Sequence, residues 1–64
     1  MNVGDLVYYA PSLPYRRIMG IVTGTHMTAD AYGHKLRLWH IRWVGEKTQD
    51  THEQEQYLES VNVD

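Results

Sequence analysis

The feature that most limits how this chain can fold is the stretch Lys35–Val44 (KLRLWHIRWV). It is the longest run of strand-forming residues and contains both tryptophans. Trp39, Ile41 and Trp43 alternate there with polar residues, which is the pattern of a strand with one buried and one solvent-facing side. The stretch is therefore predicted to be the central strand of a small β-barrel around which the other strands close.

The alternation reverses at the start of this stretch. Leu36 and Leu38 are apolar at positions where the pattern set by Trp39 requires polar residues. Because side chains alternate with a period of two, a regular strand cannot place all of its apolar residues on one face. A β-bulge near Leu38–Trp39 is predicted to resolve the conflict, and the alternative is a flat strand with two exposed leucines.

Length and composition predict one domain covering residues 1–64. A chain of 64 residues has room for one core, and domains of this size bury only about 60% of their unfolded surface. Cysteine is absent, so neither a disulfide nor a thiolate metal site can support the fold. The core is expected to depend on the two tryptophans and five tyrosines, since phenylalanine is also absent.

Strand-forming and turn-forming segments alternate along the rest of the chain. The predicted strands are Leu6–Tyr9, Arg17–Thr25, Lys35–Val44, Glu53–Gln56 and Val61–Val63. The predicted loops are Ala10–Tyr15, which contains two prolines, His26–His34, with a turn at Tyr32-Gly33, and Glu46–His52. One tight helical turn at Tyr57–Val61 is expected to seat Leu58 before the last strand, in preference to a longer helix over Glu53–Ser60.

The order of these segments resembles the SH3-like barrel in its Tudor/KOW-type form. The matching features are Gly4-Asp5 before Val7, the Gly20-Ile-Val22 step, Ile41-x-Trp43, and Leu58-x-x-Val61. The resemblance implies an all-β, SH3-like barrel of about five strands with one short helical turn before the last strand. The chain also resembles short bacteriophage-encoded proteins. Many unrelated functions share this fold, so the resemblance implies architecture more than activity.

Charge is distributed unevenly along the chain. Residues 1–44 hold five basic residues and two acids, a net +3, and residues 45–64 hold one lysine and six acids, a net −5, which together give −2. A solvated acidic edge that keeps the domain soluble is the simplest interpretation. The same polarity also suits head-to-tail packing or docking on a larger partner.

No arrangement typical of an enzyme or a metal centre is present in the sequence. No serine, threonine or carboxylate occupies a recognisable catalytic pattern, so no catalytic residue and no cofactor are predicted. The Gly4–Val7 start distantly resembles SH3-like ribonuclease toxins, but their downstream core motif is absent. The four histidines, His26, His34, His40 and His52, lack the spacing of known metal sites and are predicted to be surface residues rather than ligands.

Two kinds of binding surface follow from the aromatic and basic residues. An aromatic cage for methylated side chains would use Tyr8, Tyr15, Tyr32 and Trp39, and the alternative is that one or two are core and the rest singly exposed. Nucleic-acid or partner contacts would use Arg16, Arg17, Lys35, Arg37 and Arg42, with Tyr15 or Trp39 stacking on bases. The low pI of 6.0 disfavours nucleic acid.

These observations predict a non-enzymatic protein-interaction or assembly module. The resemblance to bacteriophage-encoded proteins further predicts that this module is a structural component of a virion. A protein partner or self-assembly is expected, and nucleic-acid binding and the toxin-type ribonuclease are the alternatives. No apolar run is long enough to span a membrane, and the N-terminus lacks the pattern of a signal peptide. A cytoplasmic protein, or a virion component if phage-encoded, is therefore expected.

Overall fold

Five antiparallel strands form a single open sheet in the computed structural model, which describes residues 1–12, 18–45 and 48–61. The strands are β1 (Leu6–Tyr9), β2 (Met19–Ala29), β3 (Lys35–Trp43), β4 (Gln49–Gln54) and β5 (Leu58–Ser60). Short 3₁₀ turns lie at Ala10–Ser12 and at Glu55–Tyr57, and the described residues contain no α-helix. The all-β class, the five strands and the helical turn before the last strand are confirmed. The sheet is compatible with an SH3-like fold, although it does not close.

The strand order is β4-β3-β2-β1-β5, so β2 and not β3 is the central strand. β1 has the predicted bounds, whereas β2 continues through Ala29 and shortens the predicted loop from His26–His34 to residues 30–34. The turn at Tyr32-Gly33 is confirmed, with Gly33 in the left-handed region at a φ of 82°. Pairing with β3 accounts for the longer β2, because a ladder partner overrides weak local propensity.

The prediction for the C-terminal third was partly wrong. Gln49–His52 belongs to β4 and pairs with β3, although it was assigned to a polar loop. The last strand is Leu58–Ser60, which pairs with β1, rather than Val61–Val63. Residues 62–64 lie outside the described part of the chain.

The bulge predicted near Leu38–Trp39 is absent from β3, so that prediction is wrong, and the irregularity lies on the neighbouring strand. The register shifts between Val22 and Gly24 on β2, while β3 alternates without interruption. Leu36 and Leu38 therefore lie on the opposite side of the sheet from Ile41, and both are half-buried. We call the side of the sheet that carries Ile41 the core face and the side that carries His40 the outer face.

The hydrophobic core is built from one or two side chains of each contributing strand. It consists of Val7, Val22, Trp39, Ile41 and Leu58, with Met1 and Trp43 packed against it. The sequence pattern predicts that Ile41 and Trp43 meet Val7, Ile18, Val22 and Leu58. Val7, Val22, Ile41 and Leu58 do so, whereas Ile18 is half-buried outside the core cluster. Trp43 was also expected inside but is only partly buried, and Trp39 is the tryptophan that fills the core, at 8% exposure.

None of the described residues forms a helix that is long and apolar enough to cross a membrane.

Candidate functional site

A groove of about 230 Å³ lies on the core face beside β4. Three of the residues that line it are on β4 and one is at the end of β3, because the odd-numbered residues of both strands face this side of the sheet. It is lined by Tyr9, Ile18, Trp43, Gln49, Thr51 and Glu53.

The groove is built around an aromatic pair. The rings of Tyr9 and Trp43 meet edge to face, with centroids 5.8 Å apart and an interplanar angle of 78°. Trp43 Nε1 donates a hydrogen bond of 2.6 Å to Thr51 Oγ1. The indole is thus held between β1 and β4, which fixes the shape of the groove wall.

Glu53 is the one carboxylate among the described residues that line the groove. It is half-buried and stands opposite Trp39 in the β3–β4 ladder. Among the described residues it has no ion-pair partner. A carboxylate at the rim of an apolar groove favours a cationic ligand over a neutral or anionic one.

β4, which supplies three of the residues that line the groove, is an edge strand of the sheet. Within the described part of the chain it pairs with β3 alone. The outward N–H and C=O groups of an edge strand form a ready template for another extended chain. We call this side of β4 its outer edge.

A second cluster lies on the outer face, where three strands bring three histidines together. One ring nitrogen from each of His26, His40 and His52 lies within 4.8 Å of the other two, and we call these residues the histidine cluster. His26 Nδ1 lies 2.6 Å from His40 Nε2, so one of the two nitrogens carries a proton and donates a hydrogen bond to the other. The rings of His40 and His52 stack with centroids 4.2 Å apart and an angle of 19°.

The register of the sheet explains how the histidine cluster forms. His40 and His52 are direct partners in the β3–β4 ladder. Across the bulge, Gly24 becomes the partner of His40, which places His26 diagonally beside it on the outer face. A Cβ on Gly24 would lie 3.2 Å from His40 Nδ1, so the glycine leaves room for the imidazole to lie against β2.

Electrostatics favour the neutral form of His40 through a lowered pKa. Burial lowers the pKa of His40, and the neighbouring His52 and then His26 lower it further because charged imidazoles repel one another. The fourth histidine, His34, lies apart in the loop of residues 30–34. Its Nδ1 is 3.2 Å from Asp30 Oδ2.

The predicted basic residues do not gather on one surface. Lys35 and Arg37 are exposed on the core-face side of β3, and Arg37 Nη1 donates a 3.2 Å hydrogen bond to Thr25 Oγ1. Arg42 lies on the outer face, where its Nε and Nη2 donate to the two carboxylate oxygens of Asp50 at 3.0 and 3.3 Å. Tyr15, Arg16 and Arg17 lie outside the described residues.

Two of the aromatic residues proposed for a cage, Trp39 and Tyr32, lie in different environments. Trp39 is in the core and Tyr32 is singly exposed at 87%, as the alternative interpretation expects. Trp39 therefore offers no free ring face for a nucleic-acid base. Arg37 lies 5.7 Å from the centroid of this buried ring.

Sequence reasoning missed both the groove and the histidine cluster. The four histidines were predicted to be surface residues without a common site, whereas His26, His40 and His52 lie together on the outer face. A hairpin that paired Trp43 with Gln49 would have placed His52 opposite His40, but the polarity of Gln49–His52 concealed the strand. Without that register, Glu53 could likewise not be placed in the same groove as Trp43.

Comparison of the chain with protein-family models, with curated proteins and with solved structures finds no match. The groove and the histidine cluster are therefore interpreted from their own geometry.

Proposed function

We propose that this chain is a non-enzymatic protein-interaction module that binds an extended, basic segment of a partner protein along the outer edge of β4. A lysine or arginine of that segment lies in the groove. The observation that carries the proposal is a groove in which the Tyr9–Trp43 pair lies together with Glu53 of the edge strand β4.

The backbone of β4 provides the first part of the interaction. A segment that adds to an edge strand forms main-chain hydrogen bonds, and its alternate side chains point to the same face. Every second side chain of the bound segment would therefore face the groove. Six residues of β4, Gln49–Gln54, are available for this pairing.

The groove provides selectivity for a long cationic side chain. Its apolar walls suit the methylene stem of lysine or arginine, and the aromatic rings attract the cationic end. Glu53 then pairs with that charge. The net charge of −5 in residues 45–64 favours a basic partner and opposes the pairing of two β4 edges from two copies of the chain.

The proposal also includes a Tudor/KOW-type barrel and a role as a bacteriophage-encoded virion component, with the cytoplasm as the alternative location. Only the sequence pattern supports these two assignments. Nucleic-acid binding is the weaker candidate. Lys35 and Arg37 lie on one face and Arg42 on the other, where it is engaged by Asp50.

Binding of designed peptides tests the proposal. The probes are extended peptides with threonine and valine flanks and with lysine, arginine, norleucine or glutamate at the central position. We expect the lysine and arginine peptides to bind more tightly than the norleucine peptide, and the glutamate peptide to bind least. Fluorescence anisotropy of labelled peptides gives each dissociation constant.

Matched glutamate variants identify the site. Glu53→Gln should reduce the preference for lysine over norleucine by roughly three- to tenfold, the range of a partly exposed ion pair. Glu59→Gln, on β5 and away from the groove, should leave that preference unchanged. Equal binding of the lysine and glutamate peptides would contradict the proposal. So would an absence of peptide binding together with oligonucleotide binding that is lost in Arg37→Ala.

A further inference from the structure

The outer face carries a group of metal-binding side chains that the groove does not use. His26 on β2, His40 on β3 and His52 on β4 lie on the side of the sheet opposite Trp43 and Glu53. The histidine cluster can therefore act independently of the proposed peptide site.

We propose that the histidine cluster binds a divalent transition-metal ion through three imidazole nitrogens, with water in the fourth position. Nδ1 of His26 and Nε2 of His40 are two of the ligands, because these two nitrogens face each other. His52 supplies the third, from the adjacent edge strand.

The ligand set selects the class of ion. Imidazole nitrogen suits Zn²⁺, Cu²⁺ and Ni²⁺, whereas Ca²⁺ and Mg²⁺ prefer oxygen ligands. Three protein nitrogens and one open position are a common arrangement at exchangeable zinc sites. His52 is exposed on the edge strand, so solvent reaches the open position.

The observed spacing requires only small side-chain movements to hold an ion. With zinc–nitrogen bonds of about 2.0–2.1 Å, two ligands of a tetrahedral ion are roughly 3.3 Å apart. His26 Nδ1 and His40 Nε2 are 2.6 Å apart and would separate slightly, while the wider pairs, all within 4.8 Å, would close. His40 must then carry its proton on Nδ1 so that the Nε2 lone pair faces the ion.

The backbone beside His40 accommodates this arrangement. Gly24 leaves the space in which the His40 ring lies against β2. An ion bound here would link β2, β3 and β4 and would stabilise the folded state by mass action.

Metal titration of the protein without an affinity tag tests the proposal. Competition with a chromophoric chelator measures the Zn²⁺ dissociation constant, and thermal unfolding followed by circular dichroism measures stabilisation. We expect Zn²⁺ to raise the melting temperature, whereas Ca²⁺ and Mg²⁺ at the same concentrations should leave it unchanged. Co²⁺ should give the visible absorption bands of a tetrahedral ion.

Single histidine variants locate the site. His26→Asn, His40→Asn and His52→Asn should each weaken Zn²⁺ binding by at least roughly tenfold, since losing a ligand costs no less than losing a supporting hydrogen bond. His34→Asn is the matched control, because His34 lies in the loop of residues 30–34 beside Asp30, and its affinity should equal that of the wild type. If His40→Asn does not fold, the exposed His52→Asn variant on the edge strand still decides the question. Equal Zn²⁺ affinity in His52→Asn and His34→Asn, or a melting-temperature increase with Ca²⁺ as large as with Zn²⁺, would overturn the proposal.

Discussion

Replacing Gly20 with alanine tests the register at the centre of the sheet. Gly20 is buried on β2, between Val7 of β1 and Trp43 of β3. A Cβ at this position would lie 2.5 Å from Ile41 Cγ2, 2.7 Å from Trp43 Cε3 and 3.0 Å from the Arg42 carbonyl oxygen. Carbon atoms in contact are normally about 3.5–4.0 Å apart, so all three neighbours would have to move.

The expected cost follows from which of these neighbours can move. Ile41 is fully buried, and the Arg42 carbonyl belongs to the backbone of the β2–β3 pair. Overpacking of a fixed core costs about 1–3 kcal/mol, and the reduced entropy of the unfolded alanine chain offsets about 0.4–1 kcal/mol. We therefore expect a net destabilisation of about 1–2 kcal/mol, a large part of the roughly 3–5 kcal/mol available to a domain of this size.

Urea unfolding followed by tryptophan fluorescence measures the effect. Gly45→Ala is the matched control, because a Cβ on Gly45 has no neighbour within 4 Å and its φ is not positive. It should change the unfolding free energy by less than about 0.5 kcal/mol, as exposed substitutions generally do. If Gly20→Ala is as stable as Gly45→Ala, the pairing of Gly20 with Trp43 and the core built on it are wrong.

Two further predictions concern the core and the outer face. Trp39→Ala should lower the free energy of unfolding by about 3–5 kcal/mol because it removes the buried tryptophan. Tyr32→Ala in the exposed turn should lower it by well under about 1 kcal/mol. Urea unfolding of both variants measures the difference, and similar losses of stability would contradict the prediction. Arg42→Gln should raise the pKa of Asp50, since the Arg42 hydrogen bond and then its charge hold that pKa below the ordinary 3.8. Because the folded-state pKa is the lower one, the stabilisation from the pair is complete above about pH 4 and is lost as the pH falls through the folded pKa. Wild type and variant should therefore converge in stability on acidification. Carboxylate chemical shifts and urea unfolding across this range measure both effects, and an unchanged Asp50 titration in Arg42→Gln would show that the pair does not form in solution.

The sequence by itself determined the elements that have strong local patterns. The alternation of Trp39 and Ile41 identified the buried side of β3, and the apolar run Leu6–Tyr9 gave β1 with its observed bounds. Gly33 marked the turn because its positive φ is costly for other residues. These signals are local, so they do not depend on which strand pairs with which.

Only the tertiary structure decided the register, and with it both sites. β4 is almost entirely polar and became a strand because β3 provides its ladder partner. The bulge between Val22 and Gly24 reverses the side on which later β2 residues point, so His26 joins His40 on the outer face. In a β2 strand that kept the alternation of Val22, His26 would have faced the core, because a one-residue shift moves every following side chain to the other face. No pattern within β2 specifies that shift, since it depends on how two distant strands fit together.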